Sequence, residues 1–493
     1  MAEWLGDGGR RSVESVDRFG GQGALVTADD GVVVHDVTVV ERLYPVDGEA
    51  AFSCSDPVLD DIHRVGRRTV TLNSDDAYTD CPTREQRAWT GDSVVHQMVD
   101  LTTNDDWRLA RRNVSLVAGS RRPDGMLPMA VAGDAEDADF TIIPDWALHW
   151  VHSVWNLYRY VGDRDEIGEL LPVVEGVLRW FEPFTDRAGL LRDVYGWVII
   201  DWSSVHTEGA STALNGLFGR GLLEFAEMAE WLGDGGRAEW AHARHRRLRA
   251  GFDAFWDPGR RRYVDSVVGE RATDPGERRT ASEHGQAAAI VGGVAPSDRL
   301  PRLVDVLQAD DHRVYATFSV PDGPAEPNSG APVGGDYLRA GHPEPWWDDD
   351  GLVVAQPFFS YVVHDALVAA GRPDLIVDRC RRWEVALDRC PTSWTETWFG
   401  GTVSHGWSST PTRDLVQRVL GVTPAEPGFA AATIAPALGD LEWAAGVVPT
   451  PHGSITIRVE PGRVEFESPV PVVVEGDRYE PGQHHVERTA EVP

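Results

Sequence analysis

A chain of 493 residues, 42% of them hydrophobic, is long enough for two or three domains and a large core, and it holds no apolar run of membrane-spanning length. Its 46 basic residues are all Arg against 78 Asp and Glu, and a formal charge of −32 argues against a nucleic-acid partner, because such a surface repels polyanions. The start has no basic-then-apolar leader pattern, so the expectation is a cytoplasmic protein with no membrane partner.

An acid-rich, lysine-free composition fits a halophile-type protein kept soluble in high salt. A GC-rich genome would also favour Arg codons, but the surplus of Asp and Glu favours the first explanation. The four cysteines (Cys54, Cys81, Cys380, Cys390) form no C-x-x-C pair and are expected to be thiols, with neither a metal nor a cofactor called for. Of the 19 tryptophans, Trp89, Trp202, Trp346, Trp347, Trp394, Trp398 and Trp407 lie in polar, loop-like stretches, which leans towards stacking on sugars.

In chain order, residues 1–10 duplicate residues 228–237 letter for letter and are given no functional weight. Residues 31–45, rich in Val, predict one or two β-strands, the remnant of an N-terminal β-domain spanning 1–52. From about Asp56 the period turns helical. Helices are expected over 57–72, 107–117, 144–160, 166–181, 213–231, 238–255, 281–291, 300–307, 353–370, 375–387 and 412–420. Gly162, Gly233 and Gly371 each stand where a helix ends and a polar residue starts the next, as in antiparallel hairpins. The other connections, 120–143, 186–210, 310–350 and 391–411, are long and rich in Trp, Asp, Gly and Pro. Short turns on one rim and long polar loops on the other predict a helical toroid over 53–424, with its active site at the long-loop end. After Pro424 strands are expected at 454–460, 463–468 and 470–474, making a small C-terminal antiparallel β-domain over 425–493 that frays from about Asp477.

The most telling stretch is 80–92, Asp-Cys-Pro-Thr-Arg-Glu-Gln-Arg-Ala-Trp-Thr-Gly-Asp. Three carboxylates (Asp80, Glu85, Asp92), Arg84, Arg87 and Trp89 share thirteen positions with no hydrophobic period. Capping of a helix would account for Asp80 or Asp92 taken singly, but not for the Arg-Glu pair or the tryptophan. Cleaving a sugar needs one acid to protonate the leaving oxygen, others to grip hydroxyls, and a flat apolar face against the ring.

This motif resembles the signature of the α-L-rhamnosidases of glycoside hydrolase family 78. A second block, Pro-Thr-Ser-Trp-Thr-Glu-Thr-Trp-Phe-Gly-Gly-Thr-Val-Ser-His-Gly-Trp-Ser-Ser at 391–409, resembles the family's later Trp-Glu block, followed by a His. Pro-Asp-Gly-Met-Leu-Pro (123–128), Ile-Pro-Asp-Trp (143–146) and Ile-Asp-Trp-Ser (200–203) are softer matches in the family's order. The resemblance covers roughly 50–475 and implies an (α/α)6 barrel flanked by β-domains, together with hydrolysis of terminal α-L-rhamnose with inversion. It implies Glu85 as general acid and Glu396 as general base. Asp80, Arg84, Asp92 and Asp201 would hold the sugar, Trp89, Trp202 and Trp394 would wall the pocket, and His405 would bind the sugar or orient the base. Many family members have one more residue between the first and last Asp, with two adjacent carboxylates after the Arg. A gap placed after residue 87 would put Gln86 in the acid's place. Glu85 is preferred, being the sole carboxylate between Asp80 and Asp92. An acid also needs surroundings that favour its protonated form; Asp80, Asp92 and Trp89 would supply them, and Arg84 would pull the other way unless turned towards Asp80, an orientation the sequence leaves open.

Other candidates are weaker. Glu208 could line the pocket, and Asp348–Asp350 could bind calcium but reads better as a solvated face. His149 reads as a core histidine, and Asn113-Val-Ser as a glycosylation motif trapped inside a helix. Competing functions are a related toroid glycosidase acting on a different sugar or an unsaturated uronide, and a non-catalytic carbohydrate-binding protein.

Overall fold

The computed structural model describes residues 9–15, 20–21, 25–46, 48–131, 142–277, 279–309, 313–314 and 351–488. Helix α1 (Pro57–Leu72) starts on a local signal: the Asp56 carboxylate accepts from the N–H of Val58 at 3.0 Å and Pro57 fills the first turn. Helices α2 (Ser93–Thr103), α3 (Arg108–Gly119), α4 (Pro144–Tyr160), α5 (Arg164–Trp180), α6 (Thr212–Leu232), α7 (Gly235–Gly251), α8 (Glu283–Val291), α9 (Leu300–Gln308) and α10 (Ser360–Ala369) follow. The last are α11 (Ile376–Arg381), α12 (Glu384–Arg389) and α13 (Thr410–Asp414).

Every residue of α2 is buried, as are all but two of α4, whereas α1, α3 and α5 bury one stripe. Helices buried on all sides form an inner ring and amphipathic ones an outer ring. The chain alternates between them, and α13 closes the ring by packing on α1 and α2. Gly162, Gly233 and Gly371 take φ of 65°, 86° and 79°, the left-handed conformation a helix stop requires. Long connections precede the inner helices, so the partly positive N-termini of α2, α4, α6 and α8 lie where those loops gather.

Strand β1 (Ala51–Cys54) leads into α1. The hairpin β2 (Thr395–Thr397) and β3 (Gly400–Val403) sits in the last long loop. After the toroid come β4 (Val422–Pro424), β5 (Ala432–Ile434), β6 (Ala444–Val448), β7 (Ile455–Glu460), β8 (Arg463–Ser468), β9 (Val472–Val474), β10 (Asp477–Tyr479) and β11 (Gly482–Glu487). They form two sheets, β1-β6-β7-β8-β11 and β4-β5-β9-β10.

Four expectations change. Residues 25–46 hold no strand, and Val33, Val39 and Val40 are exposed, because a period-two run without a neighbouring strand has nothing to pair with. The strand that does form, β1, joins the C-terminal sheet, with Ala51 opposite Val447. The tail from Asp477 is ordered to 488. Strand β11 hydrogen-bonds to β8 through its backbone, and its polar side chains suit an edge. The helix expected at 353–370 starts only at Ser360, since Leu352–Val353 pairs in parallel with Ala281–Ser282 and Arg313–Val314. The helix at 375–387 breaks before Trp383, whose buried indole donates to Ser408 O at 2.7 Å. Trp346, Trp347 and Asp348–Asp350 lie outside the described residues. Among those described, no helix is long and apolar enough to cross a membrane, and all four cysteines are free and buried.

The toroid also buries charge. Asp365 receives Arg413 at 3.1 Å, Arg418 at 2.9 Å and Arg220 at 2.9 Å, and Arg220 also pairs with Glu224 at 2.8 Å. His149 is a core histidine, bonded to the Tyr361 hydroxyl. Asn113 is buried and accepts from the Tyr78 N–H, so its sequon is not a surface feature.

Candidate active site

Asp80–Asp92 is a loop of turns, and no helix follows Asp80. The buried Asp80 carboxylate instead closes the loop, accepting from the Arg87 N–H and the Cys81 thiol, each at 2.9 Å. Asp92 precedes α2 but makes no side-chain cap, its carboxylate being held by His405. Gln86 takes the left-handed conformation (φ 53°) and its amide folds back on Pro82 O at 2.8 Å. Glu85 is therefore the residue that meets Glu396. Arg84 Nη2 lies 2.8 Å from Glu85 Oε1 and 3.8 Å from Glu396 Oε2, so one guanidinium nitrogen spans both carboxylates. Arg84, whose orientation the sequence left open, thus turns to Glu85 and not to Asp80.

Ala88–Trp89 pairs with Ala130–Val131, which fixes the indole. Trp89 donates to Glu85 Oε2 at 2.6 Å and meets Trp146 edge-on, with centroids 5.2 Å apart at 90°. A Cβ on Gly91 would lie 2.4 Å from the Trp146 ring, so only glycine lets the first turn of α4 come this close.

Glu396 sits on β2 and is 6% exposed. Its Oε2 accepts from the Thr402 N–H at 2.8 Å and the Thr402 hydroxyl at 3.0 Å. His405 Nδ1 is 2.8 Å from that hydroxyl and its Nε2 is 3.1 Å from Asp92 Oδ2. Burial pushes the Glu396 carboxyl up, but His405, Thr402 and Arg84 together bring it below its usual value. Burial opposes a charged His405, yet the hydrogen bond to Asp92 and the charges of Glu396 and Asp80 raise it. Burial raises Asp92 to about 6 against the pull of His405, with Asp80 and Glu85 adding to the rise.

Other expected positions land elsewhere. Trp394 is not a pocket wall: it is 1% exposed and packs on α1, where a Cβ on Gly66 would lie 3.1 Å from its indole nitrogen. Trp398 and Trp407 are also buried, their indoles donating to Ala355 O and Glu396 O. Trp202 is half-buried beside Trp197, at 5.8 Å. Asp201 is a brace and does not reach for the sugar. It is buried, and it accepts from Ser203 N–H (2.9 Å), Gln356 N–H (2.8 Å) and His284 Nε2 (2.9 Å). The Gln356 side chain in turn accepts from the Trp398 N–H at 3.1 Å, tying this loop to the Glu396 hairpin. Glu208 is exposed. Sequence reasoning missed Trp146 and Thr402 as site residues. The Ile-Pro-Asp-Trp match pointed at the first, and the second lies inside the 391–409 block with no signal of its own to single it out.

Asp80, Cys81 and His405 offer ligand atoms within 4.8 Å of one another, as do His364, Cys380 and Asp414. Asp80, Cys81 and both His405 nitrogens are already engaged in protein hydrogen bonds. In the second group His364 bonds Asp414, and burial pushes the Cys380 thiol well above its usual range. Neither set suits an ion.

A toroid of paired helices carrying two facing glutamates at its long-loop end defines a six-hairpin glycosidase. The family model described as the bacterial alpha-L-rhamnosidase six-hairpin glycosidase domain matches residues 47–313, and the chain belongs to that family. The model of the bacterial alpha-L-rhamnosidase C-terminal domain matches residues 421–490. The chain is similar to a family 78 rhamnosidase structure from Bacillus sp. GL1, with 25% identity, a TM-score of 0.72, and coverage of 88% of this chain and 44% of that one. It is 23% identical over 161 residues to an alpha-L-rhamnosidase of Formosa agariphila, covering 31% of this chain and 16% of that protein. It is 29% identical over 133 residues to one of Streptomyces avermitilis, covering 26% and 12%. The chain therefore spans less than half the length of the Bacillus protein, and the curated relatives are matched over a small part of theirs.

Proposed function

We propose that this chain is an inverting exo-α-L-rhamnosidase, with Glu85 as the acid that protonates the glycosidic oxygen and Glu396 as the base that takes a proton from water. The observation that carries this reading is the shared cation. Two carboxylates 311 positions apart in sequence converge on Arg84 Nη2 at 2.8 and 3.8 Å. The distance between those oxygens is at most the sum of the two. That bound reaches the bottom of the roughly 6.5–9.5 Å spacing that admits a water for inversion, and it also spans the ~5–5.5 Å of retaining enzymes. Inversion therefore rests on the family resemblance and is decided by the first-formed anomer.

The Trp89 N–H fixes Glu85, and the half-buried Trp89 ring, buttressed edge-on by the buried Trp146, offers an apolar face. The buried Asp80, Asp92 and His405 brace the motif loop and the Glu396 carboxylate from behind, while Arg84, whose side chain is 59% exposed, is the polar group open to a sugar. Its commitment to two carboxylates favours a neutral sugar over a uronide. A binding protein without catalysis would have no use for a paired Glu85 and Glu396. We take 53–424 as the catalytic barrel, 425–493 as the β-domain, and the acidic surface as an adaptation to salt.

The test is hydrolysis of p-nitrophenyl α-L-rhamnoside at low and molar salt, with the sugar followed by proton NMR. Release of p-nitrophenol with the β-anomer appearing first is expected. No release by folded protein overturns the activity, and the α-anomer first overturns inversion.

A further inference from the structure

Thr402 joins Glu396 to His405 within one loop, and His405 carries the connection on to Asp92, 313 positions away. Its N–H and hydroxyl lie 2.8 and 3.0 Å from Glu396 Oε2, and the same hydroxyl is 2.8 Å from His405 Nδ1. A hydroxyl has one proton to give. If it donates to the Glu396 carboxylate, Nδ1–H of His405 must donate to the hydroxyl oxygen. The other ring nitrogen faces Asp92 Oδ2 at 3.1 Å, and it donates to that carboxylate whenever the ring carries both protons. The hydrogen bonds then run in one direction, from Asp92–His405 through Thr402 to Glu396. Both Thr402 donors converge on Oε2. Glu396 Oε1 has no hydrogen-bond partner among the described residues, and it is the oxygen left for a water.

We propose that Thr402 is the positioning residue of the base: its hydroxyl couples Glu396 to the His405–Asp92 pair, keeping the carboxylate ionised and its second oxygen aimed at water. This rests on the reading of Glu396 as the base. The other groups facing the cluster are Asp80, Cys81, Arg84 and Glu85 from the motif loop, and His96 from α2, whose ring would touch a Cβ on Gly406. Of these, Arg84 acts on Glu396 in the same direction as His405, while Asp80 supports the charge on His405. No proton need travel along the chain of bonds. The effect is electrostatic and geometric, because a fixed donor in a dry site acts at full strength without reorganising.

The experiment compares Thr402→Val and Thr402→Ser with wild type, in two readouts. The first is the pH profile of kcat/KM on an aryl α-L-rhamnoside. In the Val variant the acidic limb should move up by about one pH unit and kcat should fall about tenfold with KM little changed, since Glu396 loses a donor that favours its charged form. Ser should restore both. The second is a nitrogen-15 NMR titration of His405, assigned with a His405→Gln variant, in which the Val variant should titrate at lower pH than wild type. An unmoved acidic limb in Thr402→Val, or a Ser variant as impaired as Val, overturns the proposal. If wild type hydrolyses no rhamnoside, the reading of the site as a rhamnosidase fails by itself and the titration decides the coupling: a shifted His405 upholds it and an unshifted one overturns it.

Discussion

The indole N–H of Trp89 lies 2.6 Å from Glu85 Oε2, so one residue fixes the carboxylate proposed as the acid and offers its own ring beside it. Trp89→Phe keeps a flat apolar face and removes the donor. We expect kcat to fall about tenfold or more while KM changes little, because the loss falls on the orientation of Glu85 and not on stacking. Steady-state kinetics check it, and a rise in KM alone would assign Trp89 to binding only.

Gly406 leaves no room for a side chain: a Cβ would lie 1.9 Å from His96 Nε2. Gly406→Ala must push His96 or the segment carrying His405. We expect a loss of ~1–3 kcal/mol in stability, with reduced activity even below the melting transition. Thermal melts and assays of the variant would show both losses.

Asp145, in the first turn of α4, is held by burial at about 7 despite accepting from the Ile200 N–H at 3.0 Å. Its folded value is thus above its value of about 3.9 in an unfolded chain. A raised carboxyl contributes stability that is complete below about pH 4 and is lost as pH rises through about 7. Asp145→Asn removes that loss. Its stability relative to wild type should climb from pH 4 to 8, by ~1–3 kcal/mol. Denaturant titrations at both ends measure this, and a constant difference would contradict it.

Asp365 pairs with Arg220, Arg413 and Arg418 inside the toroid. Arg413 and Asp365 are both buried, and without this carboxylate the three arginines keep two carboxylate partners among the described residues, Asp414 on Arg413 and Glu224 on Arg220, which leaves buried positive charge in excess. Asp365→Ala should cost ~3–5 kcal/mol. Asp365→Asn, which keeps the shape and some hydrogen bonds, should cost less. Their melting temperatures order the two, and equal stability to wild type would contradict the account.

The elements legible in the sequence were those with local signals. Helices α1 and α4 begin and end where their caps, prolines and periods place them, and the glycines of the short turns adopt the left-handed conformation. The 80–92 motif stood out because three carboxylates, two arginines and a tryptophan are packed into thirteen positions, and the structure brings its Glu85 to Glu396 across Arg84. What escaped depends on distant partners. Trp394 sits in a polar stretch, yet it is buried because Gly66, far away in α1, makes room for its ring. Asp201 looked like a sugar ligand, but His284 and Gln356 claim it. The valines of 31–45 carry a strand pattern, while polar β11 forms the strand, because pairing is decided by the neighbouring edge and not by the segment alone.

The most direct test is Glu85→Gln and Glu396→Gln, each confirmed folded by its melting temperature and assayed on p-nitrophenyl and alkyl α-L-rhamnosides. Glu396→Gln should lose ~10²–10⁴-fold in kcat on both substrates, having no base for the water. Glu85→Gln should lose as much on the alkyl glycoside and less on the aryl one, whose leaving group needs little protonation. Wild-type turnover by either folded variant on the alkyl glycoside would contradict the pairing of these two glutamates as acid and base.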